Sequence, residues 1–211
     1  MGFSGEPVCR LCRREGQRLY LKGYRCYGKK CPFSKMETPA PPGQHGRSRQ
    51  PKLSDFGQQL RTKQKLKRIY GLRERQFHNY VKEAERRRGV TGENLLQILE
   101  MRLDNVVFRL GFASSRLQAR QFIGHGHVLV NGKRVDIPSY MIRVGDKIQV
   151  NPESAKMQPV KDSVQAAATS RLAPWLTLDV QNLSGEVLSA PNRQEIDTEV
   201  EEALIVEYYS R

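Results

Sequence analysis

Long hydrophobic runs are missing from this sequence, whose apolar stretches, such as Val128–Val130, extend over only a few residues. A helix that crosses a lipid bilayer needs roughly 20 consecutive apolar residues. Residues 1–16 also lack the apolar core that a secretory signal peptide requires. These absences predict a cytoplasmic protein with no membrane partner, in a compartment where disulfide bonds are rare.

Cysteine is scarce, because the 211 residues include only four cysteines, all within residues 9–31. Cys9 and Cys12 form a C-x2-C pair, and Cys26 and Cys31 form a C-x4-C pair. Two such pairs on a short loop can place four thiolates tetrahedrally around zinc. A segment this short and polar buries little apolar surface, so a bound metal would supply folding free energy. The spacing therefore predicts one Zn²⁺ site with four thiolate ligands.

Other uses of paired cysteines stay open at this point. An iron–sulfur cluster also takes four thiolates, and the spacing alone does not distinguish it from zinc. Two disulfides are disfavoured because of the expected cytosolic location. A thioredoxin-like redox pair is disfavoured because no βαβ pattern surrounds Cys9 and Cys12.

Acidic residues are too few to balance the basic ones. Lys and Arg total 36 against 22 Asp and Glu, which gives a formal net charge of +14. The basic excess lies in residues 1–160, whereas residues 161–211 contain more acidic than basic side chains. Because a strongly basic surface attracts polyanions, we expect a nucleic acid as partner.

Catalytic patterns are also missing. The four histidines have neither metal-ligand spacing nor paired carboxylates, and no combination of nucleophile, base and orienting residue stands out. We therefore predict that the protein is not an enzyme and has no small-molecule substrate. An enzyme and a zinc-dependent DNA-binding regulator are the rival interpretations, and the regulator is disfavoured because no helix-turn-helix spacing is present.

Residues 37–55 form a linker that is rich in proline and glycine. Its four prolines keep the backbone extended and stiff. Because a flexible spacer would be rich in Gly and Ser instead, this linker is predicted to lie along a partner. Its basic side chains are His45, Arg47, Arg49 and Lys52.

Helical periodicity dominates the next segment. The pattern predicts one helix over 54–70, with Ser54 as its cap, a second over about 73–88 and a third over 91–111. The first helix carries five cations on its predicted outer surface. Like charges this dense destabilise an isolated helix, so we expect phosphates to neutralise them. These cations are Arg61, Lys63, Lys65, Lys67 and Arg68.

The stretch 114–136 combines helix and hairpin signals. Ser115 and Gln118 have the spacing of a capping box, which begins a short helix. The Asn131-Gly132 pair predicts a type I′ hairpin, and a second hairpin is expected to turn at Gly145-Asp146. Other elements expected from the pattern are a polar helix over 154–173 and strands over 175–180 and 203–211.

The short helix and the first hairpin are expected to form one concave basic surface. Arg116 and Arg120 are i,i+4 neighbours on the helix, and Lys133 and Arg134 come directly after the hairpin tip. Arginine suits such a surface, because its guanidinium can bind a phosphate with two hydrogen bonds and stack on a base.

Two of these stretches resemble a known protein family. RLDNVVFRLGFASSRLQARQFIGHGHVLVNGKRVD resembles the S4 RNA-binding domain. PPGQHGRSRQPKLSDFGQQLRTKQKLKRIYGLRERQF and the final LIVEYYSR are similar to segments of the bacterial small-subunit ribosomal proteins of the S4 (uS4) family. The resemblance covers nearly the whole chain, and the four cysteines resemble the zinc-binding variant of the family.

This resemblance implies a function in the ribosome. Family members bind small-subunit ribosomal RNA (rRNA) early, at a multi-helix junction in its 5′ domain, and so nucleate assembly. They also lie beside neighbouring ribosomal proteins at the channel through which messenger RNA (mRNA) enters, where they affect translation accuracy. By this resemblance, Arg47 and Arg49 line that channel, while the Arg116/Arg120 helix and the Asn131–Arg134 hairpin contact rRNA.

The sequence therefore predicts an α+β, mainly helical protein. Its expected parts are a zinc-binding segment with the proline-rich linker (1–45), a helical domain (46–100), an S4-type RNA-binding domain of two helices and small antiparallel strands (101–160), and a C-terminal segment that packs back on the helical domain (161–211). The predicted RNA-binding residues are Arg10, Arg13, Arg14, Lys22, Arg25, Lys29, Lys30, His45, Arg47, Arg49, Lys52, Arg61, Lys63, Lys65, Lys67, Arg68, Arg116, Arg120, His125, Asn131, Lys133 and Arg134.

Replacing one cysteine tests the zinc prediction. Cys9→Ser or Cys31→Ser is expected to release the metal and to loosen residues 1–45, because a four-thiolate site contributes to folding only when complete. Residues 101–160 should stay folded. Limited proteolysis with metal analysis is the measurement, and unchanged protease resistance of the N-terminal segment would contradict the prediction.

Overall fold

The computed structural model describes residues 7–48, 52–168 and 172–210, which form mainly helices with one small antiparallel sheet. The helices are α1 (Val8–Glu15), α2 (Pro32–Lys35), α3 (Asp55–Ile69), α4 (Glu74–Arg86), α5 (Thr91–Glu100), α6 (Leu103–Arg109), α7 (Arg116–Gly124), α8 (Gln158–Ala168) and α9 (Glu202–Tyr209). The strands are β1 (Val128–Val130), β2 (Lys133–Arg134), β3 (Lys147–Val150), β4 (Leu176–Asp179) and β5 (Ser184–Val187).

The chain divides into two compact units. Unit 1 comprises residues 1–92 together with 199–211, and unit 2 comprises residues 93–198. Within the described ranges, neither unit has a helix that is long and apolar enough to cross a membrane.

The long helices of unit 1, α3 and α4, confirm the first two predicted helices. Helix α3 begins where the Ser54 hydroxyl accepts a hydrogen bond from the Gly57 amide at 3.2 Å, which is the contact expected of a helix N-cap. Shortly after the helix ends comes Gly71, whose φ of +62° favours glycine. Leu66 of α3 and Phe77 of α4 are fully buried and contribute to the apolar core.

The C-terminal segment, predicted as a strand, is helix α9, so that prediction was wrong. Helix α9 packs on α3: Ile205 is buried, and the ring of Phe56 stacks on Tyr208 with 5.6 Å between centroids. Gln59 also donates a hydrogen bond to Glu207 at 2.9 Å. A helix satisfies its own backbone groups, whereas a strand here would need a neighbouring strand to pair with.

Glu74, at the start of α4, collects three donors from the same unit. Lys63 and Lys67 of α3 contact its two carboxylate oxygens at 2.6 and 2.7 Å, and the Tyr209 hydroxyl of α9 donates at 2.8 Å. Burial raises the pKa of Glu74, but these three hydrogen bonds outweigh it and lower the pKa to about 2. The Glu74 carboxylate therefore links α3, α4 and α9.

Unit 2 contains a five-stranded antiparallel sheet in the order β2-β1-β3-β5-β4. β1 and β2 form the predicted hairpin, with Val130 opposite Lys133. Its two turn residues, Asn131 and Gly132, have φ values of +51° and +77°, as a type I′ turn requires. The mainly helical architecture with a small antiparallel sheet is thus confirmed.

Strand β3 corrects the second hairpin, predicted to turn at Gly145-Asp146. Residues 142–144 do not pair with β3; instead β3 pairs with β1 and β5, with Ile148 opposite Val130 on one side and Gly185 on the other. The Gly145 amide donates to the carbonyl of Val187, so the turn already contacts the end of β5 before the chain enters β3.

Strand β5 was not among the strands predicted from the sequence pattern. Glycine suits position 185 of this strand, because a Cβ there would collide with the side chain of Leu110. This close approach seats the sheet on α6, and Trp175, Leu176 and Val187 are buried in the same core. A glycine within a four-residue strand hides the alternation of polar and apolar residues that identifies strands.

The predicted domain boundaries differ from the two units because strand β5 was not recognised in the sequence. Residues 161–198 were expected to pack on the helical domain, but β4 and β5 complete the sheet of unit 2. Of the predicted C-terminal segment, residues 161–211, only residues 199–211 belong to unit 1.

The third predicted helix, over 91–111, is two helices, α5 and α6, separated at Met101 and Arg102. Arg102 has extended backbone angles, and the amide of Leu103 donates to the carbonyl of Tyr140. The amide of Ile142 donates in turn to the carbonyl of Met101. Pairing with this neighbouring segment replaces the hydrogen bonds that a continuous helix would form.

Glu74→Gln tests the link between α3, α4 and α9. A lowered folded-state pKa means that the ionised form stabilises the fold above the unfolded pKa, about 4.3, and that this stabilisation is lost as pH falls towards about 2. At pH 7 the free energy of local opening of α9 is expected to be lower in the variant than in wild type. The expected difference is about 1–2 kcal/mol, because Glu74 is half exposed.

Hydrogen exchange of the α9 amides, corrected for intrinsic rates, measures this opening. The difference between the two proteins should shrink between pH 5 and pH 2. Glu85→Gln, an exposed change on the same helix, is the control. Equal protection of α9 in Glu74→Gln and wild type at pH 7 would contradict the prediction.

Candidate nucleic-acid interface

Asp104, buried at the start of α6, holds two arginines. The guanidinium of Arg102 donates to its two carboxylate oxygens at 3.1 and 2.7 Å, and the guanidinium of Arg120 donates to one of them at 3.1 and 2.6 Å. Arg102 is only 1% exposed. A buried charge is costly unless it is paired and hydrogen-bonded, and these contacts meet that requirement for both Arg102 and Asp104.

Glu100, at the end of α5, is the centre of a second buried group. Arg109 donates to both of its carboxylate oxygens at 2.9 Å, and Asn105 donates to one of them at 2.6 Å. The oxygen of the Asn105 amide accepts from Arg116 at 2.7 Å. The Arg116 guanidinium also lies over the ring of Phe108, 4.6 Å from its centroid.

These two groups change the role of Arg116 and Arg120. The sequence pattern placed both on an open surface for phosphate, but their side chains are only 15% and 17% exposed and bind Asn105 and Asp104. The i,i+4 spacing does not tell which face of α7 packs inward, and contact of the two arginines with RNA stays a prediction. The two arginines fix α7 against α6 and so position the hairpin that begins just after α7.

The hairpin of β1 and β2 carries the exposed part of the predicted surface. Asn131 is fixed by its side chain, which donates to Asp146 at 2.8 Å and accepts from the Lys147 amide at 2.9 Å. Lys133 and Arg134 are exposed next to it. This geometry presents the hairpin cations to solvent on a rigid turn.

Arg134 also reaches back to the end of α7. Its guanidinium donates to the carbonyl of His125 at 3.3 Å, and it occupies the space where a Cβ on Gly126 would stand. Gly126 also has a φ of +75°, a left-handed conformation that favours glycine. The side chain of His125 is exposed beside this contact, and the binding of His125 and Arg134 to RNA stays a prediction.

His127 has a packing role. Its Nδ1 is 2.8 Å from the Ser154 hydroxyl, and its ring lies 4.9 Å from that of Phe122. Burial lowers the pKa of His127, and the nearby His125 and Arg134 lower it further. His127 is therefore held by packing contacts, and its lowered pKa favours the neutral ring.

The five cations of α3 are not displayed outward as predicted. Lys63 is 3% exposed, and the other four are half-buried. Arg61 and Arg68 both contact Glu15 of α1, and Lys65 donates to the carbonyl of Glu199. Lys63 and Lys67 bind Glu74. These cations join the helices of unit 1 to one another, and their contact with RNA stays a prediction.

The side chain of Glu15, which pairs with Arg61 and Arg68 of α3, is buried. Its side chain is 2% exposed, and burial raises its pKa although Arg68 and Arg61 lower it. An acidic residue thus binds cations that the sequence pattern assigned to phosphate. Through these contacts Glu15 ties α1 to α3.

The four cysteines all lie in unit 1. Cys9 and Cys12 lie on α1, Cys26 ends a 3₁₀ turn over 23–26, and Cys31 precedes α2. Burial raises the pKa of the Cys12 thiol; the Leu19 amide lowers it, and the three other cysteines raise it further. The described side chains do not include three metal-binding groups in coordinating geometry.

The basic side chains around these cysteines are mostly exposed. No acidic residue occurs between Glu15 and Glu37, so this segment is uniformly positive. Arg13 is half-buried. The exposed predicted residues of unit 1 are Arg10, Arg14, Lys22, Arg25, Lys29, Lys30, His45, Arg47 and Lys52. Arg49 lies outside the described residues.

A basic stripe on α4 was missed by the sequence analysis. Arg75, Lys82 and Arg86 are all exposed, and their spacing of seven and four residues places them on one face of the helix. The signal was present in the sequence, but acidic residues interleave with it along the chain. Glu83 and Glu85 border the stripe, three residues from Arg86 and from Lys82, so this further row of exposed cations is flanked by acidic side chains.

Comparisons with known proteins cover the whole chain. The family described as Ribosomal protein S4/S9 N-terminal domain matches residues 5–100, and the S4 domain matches residues 101–148. Small ribosomal subunit protein uS4 of Thermus thermophilus is 52% identical over 211 residues, which is 100% of both chains. The chain belongs to the uS4 family.

Other uS4 relatives agree over similar lengths. Small ribosomal subunit protein uS4 of a Thermoanaerobacter species is 55% identical over 212 residues, covering 100% of both chains. The protein named uS4A of Symbiobacterium thermophilum is 56% identical over 205 residues, or 97% of each chain. The region matched by the S4 domain contains the buried group around Asp104 and, except for Glu100 itself, the group around Glu100. It also contains the β1–β2 hairpin with its exposed cations.

Two single substitutions in unit 2 separate scaffold from surface. Arg120→Ala is expected to lower the free energy of unfolding by about 2–3 kcal/mol, because it removes charged hydrogen bonds to buried Asp104. Lys133→Ala, which removes the same charge from an exposed position, should change it by less than about 0.5 kcal/mol.

Fluorescence of Trp175 during urea unfolding measures this difference, since Trp175 is the only tryptophan and is buried in unit 2. The salt slope of RNA binding should fall by about 1 for Lys133→Ala and stay unchanged for Arg120→Ala. A lower slope with unchanged stability for Arg120→Ala would show that this arginine binds phosphate.

Proposed function

We propose that this uS4 chain is a structural, non-enzymatic constituent of the small subunit of the cytoplasmic ribosome and binds rRNA through its exposed cations. The observation that carries the proposal is the match to uS4 proteins over the full length, including the S4 domain. The geometry supports it, because rigid elements hold several cationic surfaces outward.

The proposed mode of binding uses phosphate contacts at fixed positions. The hairpin with Lys133 and Arg134, the stripe on α4 and the basic segment around the cysteines each stand on a scaffold of internal ion pairs. RNA helices hide their major groove, so backbone and shape carry recognition. Such contacts hold RNA helices in a fixed relation, as a protein at a multi-helix junction must.

The finer assignments rest on the resemblance to the family. The rRNA site is the junction in the 5′ domain, where binding nucleates assembly of the subunit. Exposed Arg47, with Arg49, lines the channel through which mRNA enters, beside neighbouring small-subunit ribosomal proteins. A cation at that position attracts the mRNA backbone and so bears on translation accuracy.

Zinc is part of the same proposal. The four cysteines fit it by donor chemistry, since structural zinc takes four thiolates and a backbone amide, that of Lys22, donates to the Cys26 sulfur at 3.3 Å. Amide hydrogen bonds to sulfur stabilise thiolates. Cys9, Cys12, Cys26 and Cys31 would hold the ion, and a bound Zn²⁺ would fix α1 to the loop after it.

The salt dependence of rRNA binding tests the proposed function. The triple variant Arg75→Ala, Lys82→Ala, Arg86→Ala is expected to flatten the salt slope for a transcript of the 5′ domain by about 2–3, because each lost phosphate contact releases fewer counterions. Filter binding over a series of KCl concentrations measures it.

Two comparisons make this test specific. Glu83→Gln with Glu85→Gln alters the same helix without removing cations and should leave the slope unchanged. Footprinting of the bound transcript, with metal analysis of the same sample, locates the contacts. If wild type binds the transcript no better than an equally long unrelated RNA at near-physiological salt, the proposed function is wrong.

A further inference from the structure

Three tyrosines in the cysteine segment are exposed, although large aromatic side chains usually pack inside. Tyr20 is 43% exposed, Tyr24 is 50% and Tyr27 is 71%. The small apolar cluster of this segment consists of Leu11, Leu19 and Leu21, with Val8, Cys12 and Ile69 against it. The tyrosines are not members of that cluster, so core packing does not account for them.

The backbone holds Tyr20 outward. Its φ of +52° lies in the left-handed region, which costs a non-glycine residue roughly 1 kcal/mol or more. Both neighbours, Leu19 and Leu21, are buried, with 3% and 7% exposure. The two leucines fix the chain on either side, and the unusual conformation points the ring between them away from the cluster. Strained backbone of this kind is concentrated at functional positions.

Tyr20 and Tyr27 form a pair. Their ring centroids are 5.1 Å apart with an interplanar angle of 30°, which is within the range of favourable aromatic contacts. The pair restricts both side chains, yet most of the surface of Tyr27 stays in contact with solvent. The result is a pre-organised aromatic surface, which loses little conformational entropy when a flat ligand stacks on it.

The charges around the pair select the ligand. Lys22, Arg25, Lys29 and Lys30 are exposed in the same loop, and no acidic residue lies between Glu15 and Glu37. An aromatic surface within a cationic segment is the combination that binds unpaired nucleotides, with bases on the rings and phosphates at the cations. An acidic or neutral surround would instead favour an apolar protein partner.

We propose that the Tyr20–Tyr27 pair stacks on an unpaired nucleobase of rRNA, while neighbouring lysines and arginines bind the adjacent phosphates. This inference rests on the proposed function and adds a base-contacting site to it. The site requires a single-stranded or bulged nucleotide, because bases within a helix already stack on one another. It gives the cysteine segment a recognition role besides its charge.

Substitution of the two rings tests the inference in the full-length protein. Tyr20→Asn removes one ring and suits the left-handed backbone, and Tyr27→Leu removes the other while keeping an apolar side chain. Each is expected to weaken binding of the 5′-domain transcript by about fivefold or more, as loss of base stacking does elsewhere. Tyr27→Phe keeps the stacking surface and should bind as wild type does.

Ultraviolet cross-linking of wild type to the same transcript, read by mass spectrometry, locates the contact directly. Nucleotide adducts on Tyr20 or Tyr27 are expected. Wild-type affinity of both ring-removing variants, with no adduct on either tyrosine, would overturn the inference while leaving rRNA binding intact. Cross-links from these tyrosines only to another protein in assembled subunits would also overturn it, and failure of wild type to bind the transcript would remove both proposals.

Discussion

The cost of burying charge is the constraint on which unit 2 depends. Glu100 and Asp104 lie inside the unit, and each would be strongly unfavourable there without partners. Arg102, Arg109 and Arg120 supply those partners. Because the pairs need particular distances and directions, they fix how α6 and α7 meet, and through α7 they fix the start of the hairpin.

Unit 1 uses the same physical device with different residues. Buried Glu15 and half-exposed Glu74 receive cations from α3, and Tyr209 joins the second group from α9. A chain with a net charge of +14 would repel itself if all its cations pointed outward. Its few acidic residues therefore matter for which cations are held inside and which are left at the surface.

In each unit this division leaves part of the cationic charge paired internally and part of it exposed. The exposed cations are carried by elements that already have their backbone and core satisfied, namely the β1–β2 hairpin and α4. Phosphate contacts then add binding free energy without first having to order the surface. Rigid placement also makes the geometry of the RNA, and not only its charge, relevant to affinity.

The amino-acid sequence by itself determined the family resemblance, the Ser54 and Ser115 caps, the Asn131-Gly132 turn and the overall basic charge. The caps and the turn depend on neighbours within a few residues, and the charge and the resemblance are read directly from the residues, so none of them requires the fold. Only the tertiary structure decided that α9 is a helix, that the chain breaks at Arg102, and that Arg116 and Arg120 face inward. Each of these depends on a partner that is distant in the sequence. The sequence alone does not show which arginine pairs with a buried carboxylate and which stays exposed for RNA.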